Sequence, residues 1–127
     1  MAGHIPVFMV EDSRHMQSAL RDLIQSVGNF KVVGAAVGET EATDWLHRNR
    51  GEWRLAVLDL LLGEGSGFGL VRRCRAARPD GRIVVFSEYA SPAVKDRCRQ
   101  LGADAAFLKS ELKAFVHYIE TVAHGAA

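Results

Sequence analysis

Asp59 closes the run Leu55-Ala56-Val57-Leu58 and is followed by Leu60-Leu61-Leu62 and the glycine-rich stretch Gly63-Glu64-Gly65-Ser66-Gly67. A short apolar run bounded by glycines reads as a buried strand. A carboxylate at its end must be paired, solvated through a cleft or bound to a metal, because an unpaired buried charge is very costly. The small residues after it make a loop that leaves the oxygen reachable. Three other apolar runs also stop at polar residues: Ile5–Val10 at Glu11-Asp12, Arg82–Phe86 at Ser87, and Ala105–Leu108 at Lys109. Three carboxylates, a hydroxyl and an ammonium can hold Mg²⁺, which takes few carboxylates and keeps several waters, beside a bound phosphoryl group. Asp59 would then be the attacking oxygen of covalent phosphoryl transfer, chemistry that asks a protein mainly for positioning and charge neutralisation.

These residues meet only if the strands lie side by side. Helical stripes separate the runs: Ser13–Val27, Glu39–Asn49, Phe68–Ala77, Pro92–Leu101 and Glu111–Ala123, with a further β-rich run at Phe30–Val37. Such alternation predicts right-handed crossovers and a parallel sheet covered by helices on both faces. In an open sheet of order 2-1-3-4-5, the first and third strands are neighbours at the switch point, where ligands bind beyond the strand ends. The predicted fold is therefore α/β, a doubly wound parallel sheet of five strands with five helices, flavodoxin-like if its order is 2-1-3-4-5. Residues 1–127 are expected to form one domain, long enough to bury a core.

Composition excludes little but points one way. A 48% apolar and 24% charged chain with a formal charge of +1 is ordinary for a water-soluble domain, with no general pull toward nucleic acid or anionic membrane. No apolar run approaches a membrane span, and Met1-Ala2-Gly3-His4 does not open a signal peptide. Cys74 and Cys98 fit no metal or CxxC spacing, so a reducing, cytoplasmic location is expected. Arg72, Arg73, Arg75 and Arg78 read as a solvated helix end. His15, beside the acidic pair, reads as a surface residue.

Read together, VED at residues 10–12, VLDLLLGEGSG at 57–67, VVFSE at 84–88 and GADAAFLKS at 102–110 resemble the receiver domain of two-component response regulators over essentially the whole chain. The resemblance implies that Asp59 accepts a phosphoryl group and that Asp12 binds Mg²⁺ directly, with Glu11 binding it through a water. The Leu61 carbonyl would be a further metal ligand, Ser87 the hydroxyl that shifts onto the phosphoryl group, and Lys109 its ionic partner. The implied partners are a sensor histidine kinase or histidine phosphotransfer protein, docking at a first helix that carries Arg14, Met16 and Gln17, and an unidentified downstream protein. Tyr89, Lys95, Arg99, Lys113 and His117 would line the output surface. The expected state is a monomer or weak dimer that catalyses only its own phosphorylation and dephosphorylation.

The chain departs from the family pattern at Ser110, where proline usually follows the lysine, and at Gly63, where many members carry proline. Ser110 is expected to cap the last helix instead. Ala106 stands where an aromatic residue is common, and the neighbouring Phe107 should face the opposite side of the sheet. Leu61 and Tyr89, apolar and aromatic at positions that tune phosphoryl lifetime, predict slow autodephosphorylation. Two other readings stay open: a degenerate receiver that binds partners constitutively, and an aspartyl-nucleophile phosphohydrolase. The second needs an acid/base Asp two residues after the nucleophile, where this chain has Leu61.

Overall fold

The apolar runs form β1 (Ile5–Val10), β2 (Phe30–Ala36), β3 (Leu55–Leu58), β4 (Arg82–Ser87) and β5 (Ala105–Leu108). Between and after them run α1 (Arg14–Val27), α2 (Glu39–Arg48), α3 (Gly67–Ala77), α4 (Pro92–Leu101) and α5 (Leu112–Ala123). The structure is a computed structural model and describes residues 3–60 and 67–125. All strand pairs are parallel, in the order β2-β1-β3-β4-β5. This is the expected flavodoxin-like topology. No helix among the described residues is long and apolar enough to cross a membrane.

Side-chain alternation divides the core into two layers. Phe8, Val10, Leu58, Val85 and Ala106 pack with α2, α3 and α4, whereas Val7, Met9, Val57, Val84 and Phe86 pack with α1 and α5. β3 is buried on both faces, which is why its sequence is a continuous apolar run rather than an alternating one. Ala106 and Phe107 fall on opposite faces as their alternation requires. Ala106 is buried in the core layer that includes Cys98, while Phe107 meets Phe115 edge-on with ring centroids 6.2 Å apart.

The register of β1 against β2 slips between Val7↔Val32 and Phe8↔Gly34, so Val33 is left as a bulged residue and points into solvent. Gly34 then lies under the indole of Trp45, which stacks on Phe8 at 4.3 Å with an interplanar angle of 6°. A Cβ at Gly34 would overlap that indole.

Ser13 caps α1, its hydroxyl accepting from Met16 N at 3.2 Å, and Ser91 caps α4 in the same way from Val94 N at 3.4 Å. Ser110 does not cap the last helix. The cap position belongs to Glu111, whose side chain bonds none of the α5 amides. The arginine-rich end of α3 also differs from a solvated face. Arg72 and Arg73 are exposed, but Arg75 threads between elements. Its guanidinium donates to the carbonyls of Gly102 (3.0 and 2.8 Å), Pro79 (2.9 Å) and Gly81 (2.8 Å) and to Asp104 Oδ2 (2.8 Å). One side chain thus fastens the end of α3 to the turns before β4 and β5.

Candidate functional site

The β1–β3 ladder carries the acidic cluster. Beyond the paired residues Val10↔Leu58, Asp59 N donates to Val10 O at 3.0 Å, so Asp59 emerges next to Glu11. Glu11 N in turn donates to Ala36 O at 2.9 Å, anchoring the end of β1 against β2. Gly67, at the start of α3, comes so close to the Leu60 carbonyl that a Cβ there would strike it. The glycine therefore lets α3 begin directly beside the residue that follows Asp59. The predicted Leu61 carbonyl ligand and the turn at Gly63 fall within 61–66, outside the described residues.

Glu11 and Asp59 are buried, whereas Asp12 is exposed. One carboxylate oxygen from each of Glu11, Asp12 and Asp59 lies within 4.8 Å of the others. Such a group repels itself unless a cation joins it. Lys109 supplies one from the end of β5: its Nζ lies 2.6 Å from Glu11 Oε1 and 3.0 Å from Asp59 Oδ2. Burial would pull the ammonium below its ordinary value, but hydrogen bonds to Glu11 and Asp59, and their charges, outweigh it and raise the Lys109 pKa. Glu11 also titrates above its ordinary value. Burial is the main cause, and Lys109 only partly offsets it. An all-oxygen donor set with one side open to water fits Mg²⁺ better than a soft, sulfur- or nitrogen-seeking metal.

Ser87 is fully buried at the end of β4, and its hydroxyl accepts from Tyr89 N at 3.2 Å. Its carbonyl accepts from Lys109 N at 3.1 Å, so the fourth and fifth strand ends are joined at the serine and the lysine. The site therefore gathers Glu11, Asp12, Asp59 and Lys109 directly, with Ser87 linked through the Lys109 backbone.

Gln17 and Glu111 have partners that were not read from the sequence. Gln17, assigned to the docking face of α1, is buried instead, and its amide donates to Glu11 O (2.9 Å) and Ala36 O (3.1 Å). It pins the β1 and β2 ends beneath the acidic pair. Glu11 Oε2 also accepts from Ser13 N at 3.2 Å, so the same carboxylate serves the helix start and the site. The Glu111 carboxylate accepts from Leu108 N and Lys95 Nζ rather than from the amides of its own helix. Periodicity hinted only at Gln17, which occupies the inward stripe of α1 with Leu20 and Ile24.

Fold and site together define a flavodoxin-like α/β protein with an acidic, lysine-bearing pocket at the switch point between β1 and β3. The response regulator receiver domain family matches residues 7–120, and the chain belongs to that family of two-component signalling proteins. It is 32% identical over 87 residues to the DNA-binding transcriptional activator DevR/DosR of Mycobacterium tuberculosis, covering 68% of this chain and 39% of that protein. The chain thus spans well under two thirds of that relative's length. Its fold matches a LuxR-family two-component response regulator from Aurantimonas sp. SI85-9A1 with a TM-score of 0.83 at 23% identity, covering 97% and 87% of the two chains. It also matches a chain in the structure of the P1 domain of CheA3 in complex with CheY6 from R. sphaeroides, with a TM-score of 0.71 at 26% identity over 92% of this chain and 97% of that one.

Proposed function

We propose that this receiver domain is a phosphorylation-dependent switch that takes a phosphoryl group from a phosphohistidine onto Asp59. The observation that carries the reading is the ammonium of Lys109 set 3.0 Å from Asp59 Oδ2, with Glu11 and Asp12 completing an oxygen cluster around the same carboxylate. Asp59 Oδ would attack phosphorus while the bond from phosphorus to the imidazole nitrogen breaks, leaving a neutral histidine on the donor after protonation. Lys109 would offset the charge gathering on the phosphoryl oxygens, and the Ser87 hydroxyl would donate to one of them. Glu11, Asp12, Asp59 and the Leu61 carbonyl would hold Mg²⁺, whose charge neutralises the acidic cluster and the incoming phosphoryl group.

The donor is a sensor histidine kinase or a histidine phosphotransfer protein. The R. sphaeroides structure, in which CheY6 is bound to the P1 domain of CheA3, supports that class of partner. Met16, 41% exposed on α1, is an apolar contact suited to such docking. Phosphorylation would bias a two-state surface around α4, β5 and α5 toward a downstream protein. Tyr89, 53% exposed two residues beyond Ser87, can shield an aspartyl phosphate from in-line water, which supports a long-lived phosphorylated state.

The test is incubation of the protein with Mg²⁺ and acetyl phosphate, followed by intact mass measurement. A single phosphoryl adduct that is absent in Asp59→Asn supports the switch. Steady release of phosphate at many turnovers would indicate a phosphohydrolase, and no adduct would indicate a constitutive interaction module.

A further inference from the structure

β5 is one of the two edge strands of the sheet. Because Lys109 N points inward to Ser87 O (3.1 Å), the preceding amide, Leu108 N–H, points away from the sheet and has no strand to bond. Glu111 Oε1 accepts it at 2.8 Å, and Glu111 N donates back to Leu108 O at 2.8 Å. These reciprocal bonds close a tight turn around Lys109 and Ser110. The same Oε1 accepts from Lys95 Nζ of α4 at 2.6 Å, with side-chain exposures of 19% for Lys95 and 39% for Glu111. Glu111 occupies the cap position of α5, yet its side chain serves none of that helix's amides. A capping opportunity is given up, and the carboxylate is committed to the backbone next to Lys109.

We propose that Glu111 is a positioning residue for Lys109, and that Lys95 holds Glu111 in place from α4. The inference rests on the reading of Asp59 as phosphoacceptor. A lysine side chain is a flexible four-carbon stem, so the location of its ammonium depends on where its Cα is held. On the amino side the Ser87 carbonyl fixes that Cα; on the carboxyl side the Glu111 turn does. In this chain Ser110 follows the lysine, a residue with no ring to stiffen the turn, and the Glu111 carboxylate supplies the constraint through hydrogen bonds. Without it, Leu108 N–H would turn to water and the Lys109 ammonium would spread over positions out of reach of the phosphoryl oxygens. Misplacement of a catalytic group by about 1 Å can slow a reaction by up to roughly 100-fold.

The experiment measures the initial rate of phosphoryl incorporation from acetyl phosphate at saturating Mg²⁺ by intact mass. Wild type, Glu111→Ala, Lys95→Met, Lys95→Arg, Lys109→Met and the double variant Glu111→Ala/Lys109→Met are compared, with Mg²⁺ affinity and thermal unfolding recorded for each. Glu111→Ala should incorporate roughly 5–20-fold more slowly while its Mg²⁺ affinity stays within about twofold of wild type. Lys95→Met should slow incorporation by about two- to fivefold, and Lys95→Arg, which keeps a cation on Oε1, should restore it. In the Lys109→Met background Glu111→Ala should add nothing, because the two act as one unit. A folded Glu111→Ala at the wild-type rate, or a further loss in the Lys109→Met background, overturns the proposal. Should Glu111→Ala fail to fold, an unchanged rate in Lys95→Met overturns it. Absence of any adduct on the wild-type protein would instead overturn the Asp59 reading itself.

Discussion

Lys109 Nζ lies closer to Glu11 Oε1, at 2.6 Å, than to Asp59 Oδ2, at 3.0 Å. The lysine offsets part of the charge of the three carboxylates, and among the described residues it makes the ion pairs with Glu11 and Asp59. A divalent cation held by the same oxygens would offset the same charge, so lysine and metal would compete electrostatically. That competition leads to an expectation opposite to the intuitive one for an active-site substitution.

Lys109→Met should bind Mg²⁺ more tightly than wild type. Unit charges about 4 Å apart interact by about 4 kcal/mol at an effective dielectric of 20, and exposure of Asp12 to water weakens this to an expected gain of roughly 3–30-fold in affinity. The metal-free variant should be less stable than wild type, since Glu11 and Asp59 lose their partner, and should gain more stability from Mg²⁺. Calorimetric titration and thermal unfolding with and without Mg²⁺ check both parts. Equal or weaker binding in the variant would show that Lys109 and the metal do not share the cluster's field.

Arg75→Met should destabilise the fold by about 2–4 kcal/mol, because carbonyls of Gly102, Pro79 and Gly81 lose a charged donor at once. Arg75→Lys should recover little of this. One ammonium cannot replace a planar fork that donates from Nε and both terminal nitrogens. Urea unfolding of the three proteins is the measurement, and a near-wild-type lysine variant would mean that the charge, not the fork, matters.

How far the sequence led depended on what kind of partner each residue has. The strand-end placement of Asp59, Glu11, Ser87 and Lys109 was legible because strands of a parallel sheet read as apolar runs, and a polar residue at the end of such a run stands out. Alternation gave the parallel, doubly wound sheet, while the strand order 2-1-3-4-5 came with the resemblance to receiver domains. Arg75 and Glu111 were illegible for a shared reason: both bond main-chain groups, and backbone carbonyls and amides leave no mark in the sequence. Arg75 reaches Gly102, 27 residues away, so it looked like one more cation at a helix end. Ser110 looked like a cap because it is the right residue type one position too early. Gln17 looked exposed as a polar residue, although two main-chain carbonyls satisfy its amide inside the core.

Gly34→Ala should cost about 2 kcal/mol or more, although alanine is normally the better residue outside turns. The added Cβ meets the Trp45 indole, which is already stacked on Phe8 at 4.3 Å and would lose that stack by moving away. The double variant Gly34→Ala/Trp45→Leu should be more stable than Gly34→Ala/wild-type Trp45 would predict by additivity. Additive losses in denaturant would place the fault in the bulge at Val33 rather than in the contact.

The two cysteines should be inert in the native protein. Cys74 is fully buried in the layer under α3, and burial pushes its thiol up to about 12. Cys98 is also fully buried and raised by burial. Only the thiolate reacts, so a maleimide at pH 8 should label neither residue until denaturant is added, and then both. Rapid labelling of the native protein would reveal local opening of α3 or α4.

The Lys95–Glu111 contact should leave a signature in the pH dependence of stability. Glu111 titrates below the ordinary value of 4.5, chiefly through its bond from Lys95 and then that from Leu108 N. A carboxyl lowered on folding adds stability that is present above its unfolded value and lost as pH falls through its folded value. The stability difference between wild type and Glu111→Gln should therefore be constant near neutral pH, begin to shrink below about 4.5, and vanish once Glu111 is protonated in the native state. Glu11 titrates in the opposite sense, being raised by burial, but it is common to both proteins and cancels in the difference. Glu111 therefore sets the window. Urea unfolding of the pair between pH 7 and pH 3 measures it, and a difference that does not change with pH would mean that glutamine reproduces the contact without its charge.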